Sequence, residues 1–148
     1  MIVTFCGHSD FRGTVQKENI LLDILEDQIG DTRCEILFGQ YGGFDLFSFR
    51  CGQKFKGCHP NVKMIFVTPY IITSSPQTEL REFDEIIYPF QKNVPRRFAI
   101  SYRNRWMIEQ ADLVIAFVDH AWGGAYQTYL YAKKRNKKII NLAKWNPN

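Results

Sequence analysis

The chain has 148 residues, a length that fits one domain. Hydrophobic residues make up 45% and aromatic residues 15%, which supplies a packed core and excludes disorder as the general description. Nineteen Lys and Arg against fifteen Asp and Glu leave a charge of +4, which suits small anions and is too weak, taken alone, for a protein that coats nucleic acid.

In chain order, Ile2 to Cys6 reads as a first strand, followed by Gly7-His8-Ser9-Asp10. Thr14 to Ile29 places Ile20, Leu21, Ile24, Leu25 and Ile29 on one helical stripe, with Gly30 as the stop. Glu35 to Phe38 is a second strand, and Gly42-Gly43 leads from it into a helix over Phe44 to Lys56. Val62 to Val67 is a third strand. The segment Thr68 to Pro95 holds four of the six prolines and reads as an irregular insertion or lid, with a short helix over Thr78 to Asp84 and an extra strand at Ile86-Ile87-Tyr88. A helix over Arg97 to Ala111, a strand over Leu113 to Val118, a helix over Gly124 to Arg135 and a strand over Lys138 to Leu142 complete the chain. Several strands lack polar alternation, so both of their faces are expected to be covered. Strands alternating with helices give an α/β domain with a mostly parallel sheet and helices on both faces.

Cys6, Cys34, Cys51 and Cys58 form no CxxC pair, and Met1 to Phe5 has no signal-peptide character. The longest apolar runs are about a strand long, too short to cross a bilayer. These features predict a soluble, cytoplasmic protein with reduced thiols. Cys51, Cys58 and His59 match no standard zinc spacing, and no metal or cofactor is expected.

In a doubly wound sheet, ligands bind beyond the carboxyl ends of the strands. The loops predicted there are rich in glycine and small polar residues: Gly7-His8-Ser9, Gly39 to Asp45, Thr68-Pro69-Tyr70 and Asp119 to Gly124. Gly42-Gly43 and Gly123-Gly124 each run straight into a helix, where free N–H groups and the helix dipole favour an anion. A single Gly-Gly is a sufficient tight turn, but two such loops with Gly7 on one edge point to a phosphate-bearing ligand. Neither loop is GxxxxGK[ST] or GxGxxG, which disfavours a P-loop kinase and an ordinary dehydrogenase.

Arg103 shares a helical stripe with Ala99 and Met107, so its guanidinium meets an anion, reaches water or pairs with a neighbouring carboxylate. Phe98, Tyr102 and Trp106 form a second stripe, read as core. His8 is suited to acid–base work or to a structural hydrogen bond. Asp45 is placed to cap its helix or to bind a ribose hydroxyl. Lys133 to Lys138 reads as a solvated helix end.

Together, Phe5-Cys6-Gly7-His8, Gly42-Gly43-Phe44-Asp45, Val67-Thr68-Pro69-Tyr70, Arg103-Asn104-Arg105-Trp106-Met107 and Ala111-Asp112-Leu113-Val114-Ile115 through Gly123-Gly124-Ala125 resemble the SLOG superfamily, within it the YpsA-like branch. The resemblance spans nearly the whole chain and implies a single Rossmann-like domain. The superfamily includes Lonely Guy phosphoribohydrolases, the DNA-processing protein DprA and sensor domains for nucleotide-derived signals. Arg103 resembles an arginine of the Lonely Guy enzymes, and Gly123-Gly124 resembles the start of their Pro-Gly-Gly-x-Gly-Thr-x-x-Glu loop. The third glycine and the glutamate are absent, since the matching stretch ends Thr128-Tyr129-Leu130. Oxocarbenium character in N-glycoside cleavage calls for a carboxylate, which neither Tyr129 nor Leu130 supplies.

The resulting expectation is a protein that binds a nucleotide or nucleotide-derived ligand for sensing or sequestration. Its site would comprise Gly7, His8, Ser9, Gly42, Gly43, Asp45, Tyr70, Arg103, Asn104, Gly123 and Gly124. The rival is an N-glycosidase acting on nucleoside monophosphates, with Arg103 catalytic and a carboxylate relocated to Asp45, Asp10 or Asp119. A DprA-like DNA-associated module is the third reading, against which the absence of a concentrated basic face counts. The resemblance further implies a homodimer, and nothing suggests a membrane partner.

Overall fold

The computed structural model describes residues 1–72 and 82–144. Six strands alternate with four helices: β1 (Ile2–Gly7), α1 (Val15–Gln28), β2 (Cys34–Phe38), α2 (Gly43–Cys58), β3 (Val62–Val67), β4 (Glu85–Ile87), α3 (Arg96–Gln110), β5 (Leu113–Phe117), α4 (Gly124–Lys134) and β6 (Lys138–Asn141). The sheet order is β4-β3-β2-β1-β5-β6, with every pairing parallel. This is the expected Rossmann-like α/β architecture. The extra strand is present at the sheet edge, one residue earlier than predicted. The helix expected over Thr78 to Asp84 lies mostly outside the described residues. No helix among the described residues is long and apolar enough to cross a membrane.

The chain leaves β1 towards β2 and β3, then returns to place β5 on the other side of β1. This reversal opens a crevice beyond the carboxyl ends of β1 and β5. Alternate strand residues serve opposite layers, as the two-residue period requires. Val3, Phe5, Ile36, Phe38, Leu113 and Ile115 join the cluster of α1 and α2, which contains Leu21, Leu25, Phe44 and Phe55. Cys6, Val114 and Ala116 pack with Ile108, Tyr129 and Ala132 of α3 and α4. Each fully buried Leu or Ile in these layers contributes about 1.5–3 kcal/mol.

The helix boundaries follow the expected signals. Thr14 accepts the Lys17 N–H through Oγ1 at the start of α1, and Gly30 takes φ +51° after its end. On α3, Ala99, Arg103, Met107 and Ile108 are buried. The second stripe is corrected: Phe98 and Tyr102 are 39% and 42% exposed and stack on each other 5.8 Å apart, while Trp106 packs against the core edge. The wider apolar stripe of Ala99 and Met107 takes the buried side, so the neighbouring aromatics turn to the rim.

Candidate functional site

A cavity of about 380 Å³ occupies the crevice between the ends of β1 and β5. Its floor is apolar, from Phe5, Cys6, Ile100, Met107 and Ile108, and its rim is polar, from His8, Ser9, Asp10, Asp45, Asn104 and Thr128. The volume lies in the range of about 300–1,000 Å³ typical of small-molecule sites.

Of the residues singled out in the sequence, Gly7, His8, Ser9, Asp45, Asn104, Gly123 and Gly124 line this cavity, whereas Gly42, Gly43, Tyr70 and Arg103 do not. The two Gly-Gly helix starts have different occupations. At α2 the Gly43 N–H donates to Ser9 O at 2.8 Å and the Phe44 N–H to His8 O at 3.3 Å. Gly42, at φ +90°, lies so close to Ser9 that a Cβ would approach its Cα to 2.7 Å. This helix start is closed by the β1 loop. At α4, among the described residues, nothing accepts from the N–H groups of Gly124, Ala125 and Tyr126, and a Cβ on Gly123 or Gly124 would meet nothing within 4 Å. Gly123 adopts φ +89°, which turns the chain so that these amides start the helix at the cavity wall.

Arg103 is the second departure. It is 1% exposed, and its Nη1 donates to Gly39 O and to Val67 O, each at 2.8 Å, while its Nε donates to Asn104 Oδ1 at 2.9 Å. Gly39 directly follows β2 and Val67 ends the neighbouring β3, so the guanidinium ties their carbonyls together. Burial lowers the guanidinium's pKa and the nearby Asp45 carboxylate opposes that shift. Asn104 Oδ1 is thereby occupied, which leaves its Nδ2 as the donor available to the cavity. Tyr70 is held elsewhere, beneath the Arg96 guanidinium 4.5 Å from its ring. Among the described residues, no Lys or Arg lines the cavity.

Asp45 accepts the Tyr41 N–H through Oδ2 at 2.7 Å, and burial pushes its carboxyl up to about 6. The folded chain therefore holds this proton above the pH at which the unfolded chain releases it. Stability is then expected to fall as pH rises from about 4 to about 6. A melting series across that window checks this, and Asp45→Asn is expected to remove the slope. The test is the difference between the two chains, because the lowered His8 contributes a rise with pH in the parent; a parent and Asp45→Asn that melt in parallel across the window contradict the assignment.

His8, 5% exposed, follows β1 directly. The Asp119 N–H donates to His8 Nε2 at 3.1 Å, so that nitrogen carries the lone pair and the neutral ring is protonated at Nδ1. Burial, then His120, lowers its pKa, and Asp119 and Asp10 oppose the shift. His120 Nδ1 bonds Asp119 Oδ1 at 2.7 Å. His120 and Trp122 are rim residues that the glycine pattern did not assign to the site, although they share the loop that ends in Gly123-Gly124. The zinc-like trio dissolves: Cys51 is buried, Cys58 is exposed, and His59 stacks on Phe55 and bonds Glu26.

No protein-family model and no curated protein matches the sequence. In fold, the chain is similar to DNA processing protein A from Helicobacter pylori, which binds single-stranded DNA. The TM-score is 0.65 at 18% identity, over 94% of this chain and 63% of that one. It is also similar to DNA processing protein A from Streptococcus pneumoniae, with a TM-score of 0.65 at 15% identity over 93% of this chain and 48% of that one. The molybdenum cofactor carrier protein from Chlamydomonas reinhardtii gives a TM-score of 0.56 at 15% identity, over 96% of this chain and 75% of that one. The chain thus spans less than two thirds of either DNA processing protein. At these identities the likeness is one of fold.

Proposed function

We propose that this chain, as a YpsA-like member of the SLOG superfamily, binds a nucleotide or nucleotide-derived ligand in the β1–β5 crevice for sensing or sequestration. The observation that carries the reading is the row of unspent N–H groups at Gly124, Ala125 and Tyr126, beside a cavity whose floor is apolar. Backbone amides at a helix start bind phosphate without a cationic side chain. Asp10, Asp45 and the Asn104 amide then face the hydroxyl and amino groups that a nucleoside presents. The likeness in fold to the DNA processing proteins supports the superfamily placement, and the motif order supports the branch. A nucleic-acid strand would call on Lys and Arg, and among the described residues none lines the crevice.

Calorimetric titration with AMP, ADP and ribose 5-phosphate, followed by chromatography of the recovered ligand, tests the reading. The expected result is saturable binding of at least one phosphorylated compound, recovered intact. No binding by any of them sinks the reading, and released adenine replaces it with the N-glycosidase.

A further inference from the structure

The sharpest unassigned feature of the molecule is a column of three rings at the cavity rim. His8 and His120 stack with centroids 3.5 Å apart and planes 9° apart, and Trp122 lies against His120 at 3.9 Å with its plane tilted by 32°. The column begins on a buried imidazole and ends on an indole that is 68% exposed. Asp119 fixes it, since its N–H binds His8 and its carboxylate binds His120. The loop after β5 is thus pinned to the end of β1.

His8, Asp119 and His120 also bring three ligand atoms within 4.8 Å of one another. Their geometry opposes a metal site, because a metal lies in the plane of an imidazole that binds it. Two nearly parallel rings 3.5 Å apart cannot both direct an in-plane lone pair at one ion. Stacking is the interaction this column is shaped for. Its last ring carries an imidazole on one face and, among the described residues, no ring on the other.

We propose that Trp122 is the shelf on which the ligand's planar nucleobase lies. The proposal rests on the nucleotide reading above and deepens it by naming the residue that recognises the base. Trp122 stands two residues before the first of the amides at Gly124 to Tyr126 and lines the same cavity, so a phosphate held there sets the rest of a mononucleotide beside the indole. An exposed tryptophan also loses little conformational freedom on binding when its other face is already backed. A stacking shelf accepts any base, since each presents a π-face, and sequence or base preference then falls to the polar rim.

Ribose 5-phosphate, which carries the anion without the base, separates this inference from the reading beneath it. Calorimetric affinities for AMP and for ribose 5-phosphate are measured on the parent, Trp122→Phe and Trp122→Leu, with melting curves to confirm folding. The parent is expected to prefer AMP on the order of tenfold or more. Trp122→Phe keeps most of that preference, and Trp122→Leu brings it close to one while leaving ribose 5-phosphate affinity unchanged. A Leu variant that retains the preference, or a parent that shows none, overturns the shelf and leaves phosphate binding intact. Failure of both compounds to bind the parent overturns the nucleotide reading and the shelf with it.

Discussion

Arg103→Met is expected to lower the melting temperature by roughly 10 °C while leaving AMP affinity, measured well below that temperature, within severalfold of the parent. The guanidinium is buried and donates to two strand-end carbonyls and to Asn104. Methionine refills much of the apolar stem and supplies no donor. Gly39 O and Val67 O then lose a charge-assisted partner, and a buried acceptor left unpaired costs about 1–3 kcal/mol. Together with the lost bond to Asn104, the sum is about 3–5 kcal/mol, the cost of leaving neutral buried acceptors without their charged donor. At about 2–4 °C per kcal/mol for a chain of this size, the shift follows. Lysine recovers only part of it, because a single ammonium cannot reproduce the planar fork that reaches both carbonyls and Asn104. Gly39 is part of the same device, since a Cβ there would stand 3.2 Å from the guanidinium carbon. A methionine variant that melts like the parent and no longer binds AMP would instead return Arg103 to the ligand.

Arg103 also marks where the sequence stops being informative. Its stripe with Ala99 and Met107 correctly turned it inward, because helical periodicity is a local property. What awaits it inside is set by β2 and β3, whose carbonyls lie 64 and 36 residues away along the chain. No window on α3 contains that information. The strand-helix alternation, the glycine stop at Gly30 and the cavity edge were legible for the same local reason. Phe98 and Tyr102 were misread because two adjacent apolar stripes on one helix cannot both face the core, and spacing alone does not rank them. The ring column was illegible for the opposite reason: His8 and His120 are 112 residues apart, and only the parallel pairing of β1 with β5 brings them together. Lining residues on one loop, such as Gly123 and Gly124, could be read directly. Partners drawn from two loops could not.

The two Gly-Gly steps show the same limit and yield the most discriminating pair of substitutions. In sequence they are equivalent, each opening a helix after a strand. In the fold, Gly43→Ala would drive its Cβ to 2.3 Å from Phe11 O and 2.9 Å from Ser9 O. Both contacts are backbone, so no rotamer relieves them, and the Gly43 N–H bond to Ser9 O is strained with them. Overpacking of this kind costs about 1–3 kcal/mol and occasionally more, and a contact of 2.3 Å to a backbone oxygen places this site at the upper end. Gly124→Ala meets nothing within 4 Å and sits in the first turn of α4, where alanine gains up to about 1 kcal/mol over glycine in helix propensity. Its stability is expected to hold or rise slightly. Its added methyl enters the space before the unspent amides, so phosphate affinity is expected to fall on the order of tenfold or more, since a well-placed charge-assisted hydrogen bond carries about 1.5–3 kcal/mol. Melting curves and AMP titrations on both variants therefore give opposite signatures: Gly43→Ala loses stability, and Gly124→Ala loses ligand. Parent-like AMP binding by Gly124→Ala would remove the anion from the α4 start. Parent-like melting by Gly43→Ala would show that the β1 loop yields, and the α2 start would then become available to a ligand after all.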